Sequence, residues 1–167
     1  QWYYFMVSNM RRGLRYKLNI MHFYKEKSLY HHGQRPLFWS QKHSQSDENV
    51  GWRRAGDEIR YFENGIRKKN GGRNFTLSFL IDFPFDNDVC FIAMCYPFTY
   101  SDLRTLLLET EMLTLKSRIL TRSELCKSEA GHSCEMLTIR SPLKPSRVEK
   151  RPVFFISGRV HPGESNA

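Results

Sequence analysis

Apolar and polar residues alternate with a period of two over most of residues 1–97, and the alternating runs are separated by turn-forming residues. Such alternation is typical of antiparallel strands, because successive side chains on a strand point to opposite faces of its sheet. The clearest run covers residues 74–83. Its predicted core face carries Phe75, Leu77, Phe79, Ile81 and Phe83. Its predicted solvent face carries Asn74, Thr76, Ser78 and Asp82, with Leu80 as the exception.

The same pattern predicts further strands in this part of the chain, at 2–7, 16–21, 37–40, 58–62 and 89–95. Turns are expected at Arg12-Gly13, Asn64-Gly65 and Gly71-Gly72, where glycine allows a tight reversal. The polar stretch 43–50 is expected to be a loop. Many short strands in so short a segment predict a mostly β fold, with an antiparallel β-sandwich or an open barrel as its architecture.

The pattern changes to a helical one after Tyr96-Pro97. Ser101-Asp102 is expected to cap a helix there, because the short polar side chains of Ser and Asp satisfy the first free backbone amides of a helix. The residues that follow at helical spacing are Leu103, Leu106, Leu107 and Thr110. A helix is therefore predicted directly after the run of strands.

Strand patterns return beyond this helix, at 119–126, 136–139 and 153–156. The last run, Val153–Ile156, is apolar at every position, which is typical of a strand that helices bury on both faces in an α/β sheet. We therefore predict a domain boundary near residue 98, with a β-sandwich domain over 1–98 and the start of an α/β domain over 99–167.

Composition and hydropathy limit the class of protein. With 40% hydrophobic and 14% aromatic residues, the chain has enough apolar side chains for a core, which excludes a wholly disordered protein. No apolar run approaches the ~20 residues that a membrane-spanning helix needs. The first residues also lack the basic and apolar regions of a signal peptide. We predict no membrane partner.

The chain is strongly basic, since 26 Lys and Arg against 17 Asp and Glu give a formal net charge of +9. The basic residues form short, scattered groups at Arg11-Arg12, Arg53-Arg54 and Arg67-Lys68-Lys69. Nucleic-acid binding usually needs a concentrated basic surface, so the sequence disfavours it. Most of these charges are expected to form a solvated face, and the sharper alternative is the attraction of an acidic polypeptide.

The four cysteines, Cys90, Cys95, Cys126 and Cys134, are too few and too irregularly spaced for a disulfide scaffold or a Cys-x-x-Cys zinc site. Reduced and mostly buried thiols are expected, as in cytosolic proteins. His31-His32, beside Gly33, is expected to lie in a polar turn rather than in a metal site.

The last segment of the chain contains two residues that can bind a metal. His161 and Glu164 flank Pro162-Gly163 directly after the predicted buried strand. A Pro-Gly turn can bring an imidazole and a carboxylate to one side of the backbone, and both groups are zinc ligands. His-x-x-Glu by itself more often marks an exposed histidine and a solvated glutamate. These residues would form only part of a catalytic zinc site, which takes a third protein ligand and a water.

The surrounding sequence favours the metal site. The segment from Gly158 to Ser165, after an apolar run, closely resembles the first zinc-binding motif of metallocarboxypeptidases, in particular of the cytosolic carboxypeptidase family. Several separate upstream segments resemble the amino-terminal domain of the same family. These segments are 1–5, 28–30, 33–37, Gly51-Trp52 with Gly56, and 95–103.

The resemblance covers nearly the whole chain and implies an amino-terminal fragment of such an enzyme. The implied fold is a β-sandwich domain followed by the truncated start of an α/β zinc carboxypeptidase domain. The implied activity is the removal of carboxyl-terminal glutamates from polyglutamylated tubulin and other glutamate-rich proteins. The implied location is the cytosol, with microtubules or cilia as further candidates. By this likeness His161 and Glu164 are the first two Zn2+ ligands.

The same likeness implies that the remaining parts of the active site lie beyond Ala167: the third ligand, a histidine; the arginine that binds the substrate's terminal carboxylate; and the glutamate that acts as general base. No residue of this segment is then assigned a catalytic role, and the segment alone is expected to be inactive. Apolar residues after about Pro97 should lack cover, so we expect aggregation or partial disorder there. The alternative function is a non-catalytic β-sandwich docking module that binds an acidic protein partner.

Overall fold

The structure, a computed structural model, describes residues 2–114, 119–140, 152–161 and 164. It divides into two units, one of Gln1–Pro97 with Ser157–Ala167 and the other of Phe98–Ile156. That residues 99–167 open a catalytic domain stays a prediction.

The first unit consists mainly of strands. They are β1 (Tyr4–Ser8), β2 (Arg15–Phe23), β3 (Leu37–Ser40), β4 (Arg53–Arg54), β5 (Asp57–Asn64), β6 (Asn74–Asp82) and β7 (Val89–Ala93). A 3-10 helix at Leu29–His32 and a short helix α1 at Gln41–Ser44 lie between them. The second unit contains helix α2 (Tyr100–Thr114) and the strands β8 (Leu120–Lys127) and β9 (Ser133–Ile139).

The strands of the first unit form two antiparallel sheets. One sheet has the order β1-β7-β3-β4 and the other has the order β2-β6-β5. Register shifts occur between Ile20 and Phe23 in β2 and between Asp57 and Arg60 in β5, on either side of β6. Such bulges add local twist to a sheet. The predicted mostly β fold with antiparallel sheets is confirmed.

The core lies between these two sheets. The predicted apolar face of β6 and the residue after it is confirmed, because its five side chains are at most 6% exposed. Phe38 of β3 and Ile92 of β7 join the same cluster from the other sheet. Phe83 packs edge-on against Phe38, with ring centroids 5.8 Å apart, and against Tyr16 of β2 at 5.3 Å. Each buried aromatic of this kind contributes about 1.5–3 kcal/mol of hydrophobic stabilisation.

The other face of β6 is not the solvent face that the alternation predicts. Asn74, Thr76 and Ser78 are all buried, although Asp82 is exposed as expected. The reason is that β6 is the central strand of its sheet, so larger residues of the flanking strands lie beside its small polar side chains. Ser78 pairs with Asn19 and Arg60, and Thr76 pairs with Phe62 and accepts a hydrogen bond from Asn64 Nδ2 at 2.8 Å.

A buried carboxylate ties β3, α1 and β7 together. Asp88 is 2% exposed and accepts hydrogen bonds from the Ser40 hydroxyl, the Lys42 amide (3.1 Å), the Val89 amide (2.7 Å) and the Cys90 thiol (3.4 Å). Burial by itself raises the pKa of Asp88, but the hydrogen bonds outweigh it and the pKa lies below its ordinary value. Asp88 is therefore an ionised, fully partnered group.

The prediction of a loop over 43–50 is wrong at its first two residues, which belong to helix α1, and Ser40 explains why this helix forms. The Ser40 hydroxyl accepts a hydrogen bond from the His43 amide at 3.1 Å, as an N-cap residue does. Because Ser40 is held by Asp88, the cap is positioned by a residue distant in sequence. The sequence pattern of 41–44 alone does not reveal this short helix.

The 3-10 helix Leu29–His32 places Tyr30 in the core. Ser28 caps it by accepting from the Tyr30 amide at 3.3 Å, and Gly33 ends it at a φ of 88°. The Tyr30 and Tyr3 hydroxyls lie 2.5 Å apart, and burial raises the pKa of Tyr30 to about 12. His31 Nε2 donates to the Tyr61 carbonyl at 2.9 Å, so His31 has a structural partner in this turn.

In the second unit, the helix cap differs from the prediction. Thr99 rather than Ser101-Asp102 is the cap, because the Thr99 hydroxyl accepts from the Asp102 amide (3.2 Å) and Asp102 Oδ2 accepts from the Thr99 amide (2.7 Å). This reciprocal pair is a capping box. Among the apolar side chains of α2, only Leu107 is buried, whereas Leu106, Leu108, Met112 and Leu113 are exposed. No helix within the described ranges is both long and apolar enough to span a membrane.

Strands β8 and β9 form an antiparallel hairpin. Their predicted positions are confirmed, with β9 beginning three residues earlier than 136. Arg122 of β8 pairs with Glu111 of α2 at 3.2 Å and with Glu135 of β9 at 2.7 Å, which joins all three elements.

The expectation of mostly buried thiols is wrong for this hairpin. Cys90 is buried and Cys95 is half-buried, but Cys126 and Cys134 are exposed. These two cysteines are exposed because β8 and β9 form a sheet of only two strands, and no second layer of the described residues covers the face that carries them.

Substitution of Gly56, which lies between β4 and β5, tests how closely this connection approaches the core residue Phe79. Gly56 has a φ of +91°, and a Cβ there would lie 3.2 Å from Cδ2 of Phe79. We expect Gly56→Ala to lower the free energy of unfolding by at least about 1–2 kcal/mol, the cost of a left-handed conformation for a residue with a side chain. The measurement is urea unfolding of the whole chain followed by far-ultraviolet circular dichroism.

The matched control is Gly51→Ala, where a Cβ meets nothing within 4 Å and φ is not positive. This variant should unfold within about 0.5 kcal/mol of the wild type, as surface substitutions usually do. Equal losses in the two variants would contradict the close approach of Gly56 to Phe79.

Asp88 should make stability depend on pH in a defined direction. A carboxylate whose folded pKa is lowered stabilises the fold above its unfolded pKa of about 4, and this contribution is lost as pH falls through the folded value. Asp88→Asn should therefore cost about 1–3 kcal/mol at pH 7, because buried donors lose their acceptor. The difference from the wild type should shrink at about pH 3, as urea midpoints at the two pH values would show.

Asp47→Asn is the control for this titration, since Asp47 is an exposed carboxylate in the same region. Its unfolding free energy should follow that of the wild type at both pH values. A constant gap between Asp88→Asn and the wild type over the acid range would overturn the assignment of an ionised Asp88.

Candidate metal centre

The segment that leads to the predicted ligands has no regular secondary structure over residues 152–159. The predicted strand at Val153–Ile156 is therefore wrong for this structure, and its side chains are 76–90% exposed. The physical reason is that an apolar strand needs partners for its backbone groups and cover for both faces. Among the described residues no strand pairs with it and no helix covers it.

The predicted ligands themselves are brought together by a local turn. The Glu164 amide donates to the His161 carbonyl at 3.0 Å, which closes a reversal of the chain over these positions. Arg159, two residues before His161, has a left-handed φ of 50° and redirects the chain as it enters the turn. Pro162-Gly163, on which the sequence prediction of a turn rested, lies outside the described residues.

The side chains of His161 and Glu164 meet directly. His161 Nδ1 and Glu164 Oε1 are 2.8 Å apart, and the His161 amide donates to Glu164 Oε2 at 3.4 Å. The hydrogen bond from the His161 ring is the largest cause that holds the pKa of Glu164 below its ordinary value, and the positive charge of Lys25 adds to it. The Glu164 carboxylate is therefore ionised and in direct contact with a ring nitrogen of His161.

Both side chains are open to solvent, with 74% of His161 and 50% of Glu164 exposed. An imidazole nitrogen and a carboxylate oxygen that converge suit zinc, which takes both donor types. In the part of the chain that the structure describes, however, no three His, Cys, Asp or Glu side chains are grouped closely enough to hold a metal ion. The described residues thus fit one half of a zinc site, with room for further ligands.

Three of the other histidines have partners that give them structural roles. His31 contacts the Tyr61 carbonyl, His43 Nε2 lies 2.9 Å from Glu48 Oε2, and the His132 ring lies 4.8 Å from that of Tyr100. This agrees with the prediction that His31-His32 belongs to a turn. No further metal ligand emerges from these contacts.

The basic groups singled out in the sequence also make contacts inside the chain. The Arg53 guanidinium lies 5.3 Å from the Phe38 ring centroid, and Arg54 donates to the Arg35 carbonyl at 2.7 Å. Arg67 pairs with Glu63 at 3.2 Å, and Lys68 lies 4.4 Å from the Tyr24 ring centroid. These groups support the sandwich as well as facing solvent, so they do not by themselves define a surface for an acidic partner.

The curated proteins that resemble this chain in sequence are carboxypeptidases. The chain is 40% identical to cytosolic carboxypeptidase 3 of Bos taurus over 167 residues. This alignment covers 100% of the chain and 16% of that protein. The chain is also 40% identical over 168 residues to cytosolic carboxypeptidase 2 of Homo sapiens, covering 99% of this chain and 18% of that protein.

The third relative is more distant: cytosolic carboxypeptidase 1 of Xenopus laevis is 35% identical over 181 residues, covering 100% of this chain and 15% of that protein. No protein-family model matches the chain. The chain belongs to the cytosolic carboxypeptidase family, as the resemblance of its motifs predicted. It spans less than a fifth of the length of the relatives named here.

Proposed function

We propose that this chain contributes the first two zinc ligands, His161 and Glu164, to a metallocarboxypeptidase that works in the cytosol. The observation that carries the proposal is the 2.8 Å contact between His161 Nδ1 and Glu164 Oε1. It occurs in a chain that is 35–40% identical over its whole length to proteins named cytosolic carboxypeptidases. An isolated His-x-x-Glu pair would carry much less weight.

The two side chains have separate tasks in this proposal. His161 offers a ring nitrogen and Glu164 a carboxylate oxygen, and these atoms are close enough that an ion that replaces the proton between them would be bound by both. Zinc, when bound, supplies Lewis-acid chemistry that activates a water and polarises the carbonyl of the scissile bond. The 3.0 Å hydrogen bond from the Glu164 amide to the His161 carbonyl holds the two side chains close together for metal binding.

The proposed substrates are proteins that end in glutamate, polyglutamylated tubulin among them. The support is electrostatic and general, since a chain with a formal net charge of +9 attracts acidic polypeptides and raises their association rates. The sandwich is proposed to belong to that enzyme rather than to act only as a docking module, because the whole chain, sandwich included, is 35–40% identical to proteins named carboxypeptidases.

Zinc content and peptide hydrolysis of the complete gene product test this proposal together. His161→Ala and Glu164→Ala should each lower zinc content measured by inductively coupled plasma mass spectrometry. Each should also reduce the release of glutamate from a peptide ending in glutamate by at least about 100-fold, a loss typical of disturbed metal sites. A peptide ending in lysine should be a poor substrate of the wild type.

His32→Ala and Glu129→Gln are matched controls, because both residues are exposed and are distant from His161 and Glu164 in the sequence. They should keep wild-type zinc content and activity. Unchanged zinc content and glutamate release in both His161→Ala and Glu164→Ala would refute the ligand assignment. Loss of zinc with retained hydrolysis would separate metal binding from the proposed chemistry.

A further inference from the structure

Two exposed cysteines face each other across the β8–β9 hairpin. Cys126 of β8 and Cys134 of β9 are register partners in the antiparallel pair. The nearby Cys134 thiol is one cause that raises the pKa of Cys126, after desolvation, and both side chains are exposed to solvent. The sequence gives no sign of this pairing, because the spacing of the two cysteines has meaning only once the hairpin is formed.

The geometry of such a pair suits a disulfide. Directly opposite residues of antiparallel strands have Cα atoms about 4.5–5.5 Å apart, and disulfides join Cα atoms about 4.4–6.8 Å apart. The strand pairing therefore places the two Cα atoms in the range that a disulfide spans, directly after a register shift between Glu124 and Cys126. The two cysteines are thus close because the strands pair, and not because they are near each other in the sequence.

The connection between the strands keeps the pair in place. The Ser128 amide donates to the His132 carbonyl at 2.8 Å, and the Gly131 amide donates to the Ser128 carbonyl at 2.9 Å. Gly131 has a φ of +78°, which a glycine adopts without strain. On the other side of the pair, the Ser133 hydroxyl donates to Glu124 Oε2 at 2.5 Å, a second link between β8 and β9.

Cys90 is an unreactive cysteine with which the hairpin pair can be compared. It is fully buried in the sandwich and donates to Asp88 Oδ2 at 3.4 Å. Burial raises its pKa to about 12, so its thiolate is scarce. The pKa of Cys126 is also raised, by desolvation and by the Cys134 thiol, so the contrast with Cys90 is one of access: Cys126 and Cys134 are exposed to a small disulfide reagent.

We propose that Cys126 and Cys134 form a reversible intramolecular disulfide by exchange with a low-molecular-weight disulfide such as glutathione disulfide. One cysteine, as its thiolate, attacks a sulfur of glutathione disulfide; an S–S bond to the protein forms, the glutathione S–S bond breaks, and one glutathione thiolate leaves. The second cysteine then loses its proton and attacks the protein sulfur of that mixed disulfide, releasing the second glutathione. Two protein thiols are oxidised and one glutathione disulfide is reduced to two glutathiones.

The resulting cross-link is expected to be labile and therefore responsive to redox conditions. Exposed disulfides are more easily reduced than buried structural ones. In a compartment whose glutathione pool is reducing, the pair stays as two thiols, and it closes when that pool becomes oxidised. Closure joins β8 to β9 covalently. This modification site is independent of His161 and Glu164, so its test does not depend on the proposed zinc chemistry.

Mass spectrometry of the whole chain after equilibration in glutathione buffers tests the proposal. Trypsin cuts after Arg122, Lys127 and Arg140, so Cys126 and Cys134 fall in different peptides, 123–127 and 128–140. The disulfide will therefore appear as these two peptides joined after acid quenching and alkylation. In monomeric wild-type protein the joined form should exceed the doubly glutathionylated form by at least about tenfold, because the second exchange is intramolecular.

Cys126→Ser and Cys134→Ser should each abolish the joined peptides and leave a glutathione adduct on the remaining cysteine. Cys95→Ser is the matched control and should leave the joined peptides unchanged, since Cys95 lies outside the hairpin. Glutathione adducts on both cysteines of the wild type without joined peptides would overturn the proposal. So would joined peptides that occur only in covalent dimers.

Discussion

The apolar face of β6 is the feature on which the first unit depends. Five large side chains along this strand and the residue after it cannot be shielded by the strand's own sheet, so a second sheet must lie against them. Phe38 of β3 and Ile92 of β7 supply that cover. The same requirement accounts for Gly56, whose backbone passes so close to Phe79 that a side chain would not fit without adjustment. Strand order, loop conformation and core packing thus have one common cause.

Asp88 is a buried charged group whose hydrogen bonds connect several elements of the first unit. A carboxylate placed at the edge of an apolar core is tolerated because each hydrogen bond it accepts offsets part of the cost of removing it from water. The same group orients Ser40, which in turn caps α1. One ionised side chain therefore connects the end of β3, the start of a helix and the start of β7.

The two candidate sites depend on structure at different scales. His161 and Glu164 are three residues apart, and a single turn with a 3.0 Å backbone hydrogen bond is enough to bring their side chains together. Cys126 and Cys134 need the correct register of two strands before they meet. The first site is thus a local property of the chain, whereas the second exists only in the folded hairpin.

The sequence by itself determined the mostly β character, the apolar face of β6 and the His161–Glu164 pair, because alternation and short spacing are local signals. It could not decide the burial of Ser78, which follows from the neighbours Asn19 and Arg60 across the sheet. Apolar composition likewise predicted a strand at Val153–Ile156, but a strand forms only where a partner strand meets its hydrogen bonds. Tertiary structure alone decided the pairing of Cys126 with Cys134, since register joins residues that no periodicity relates.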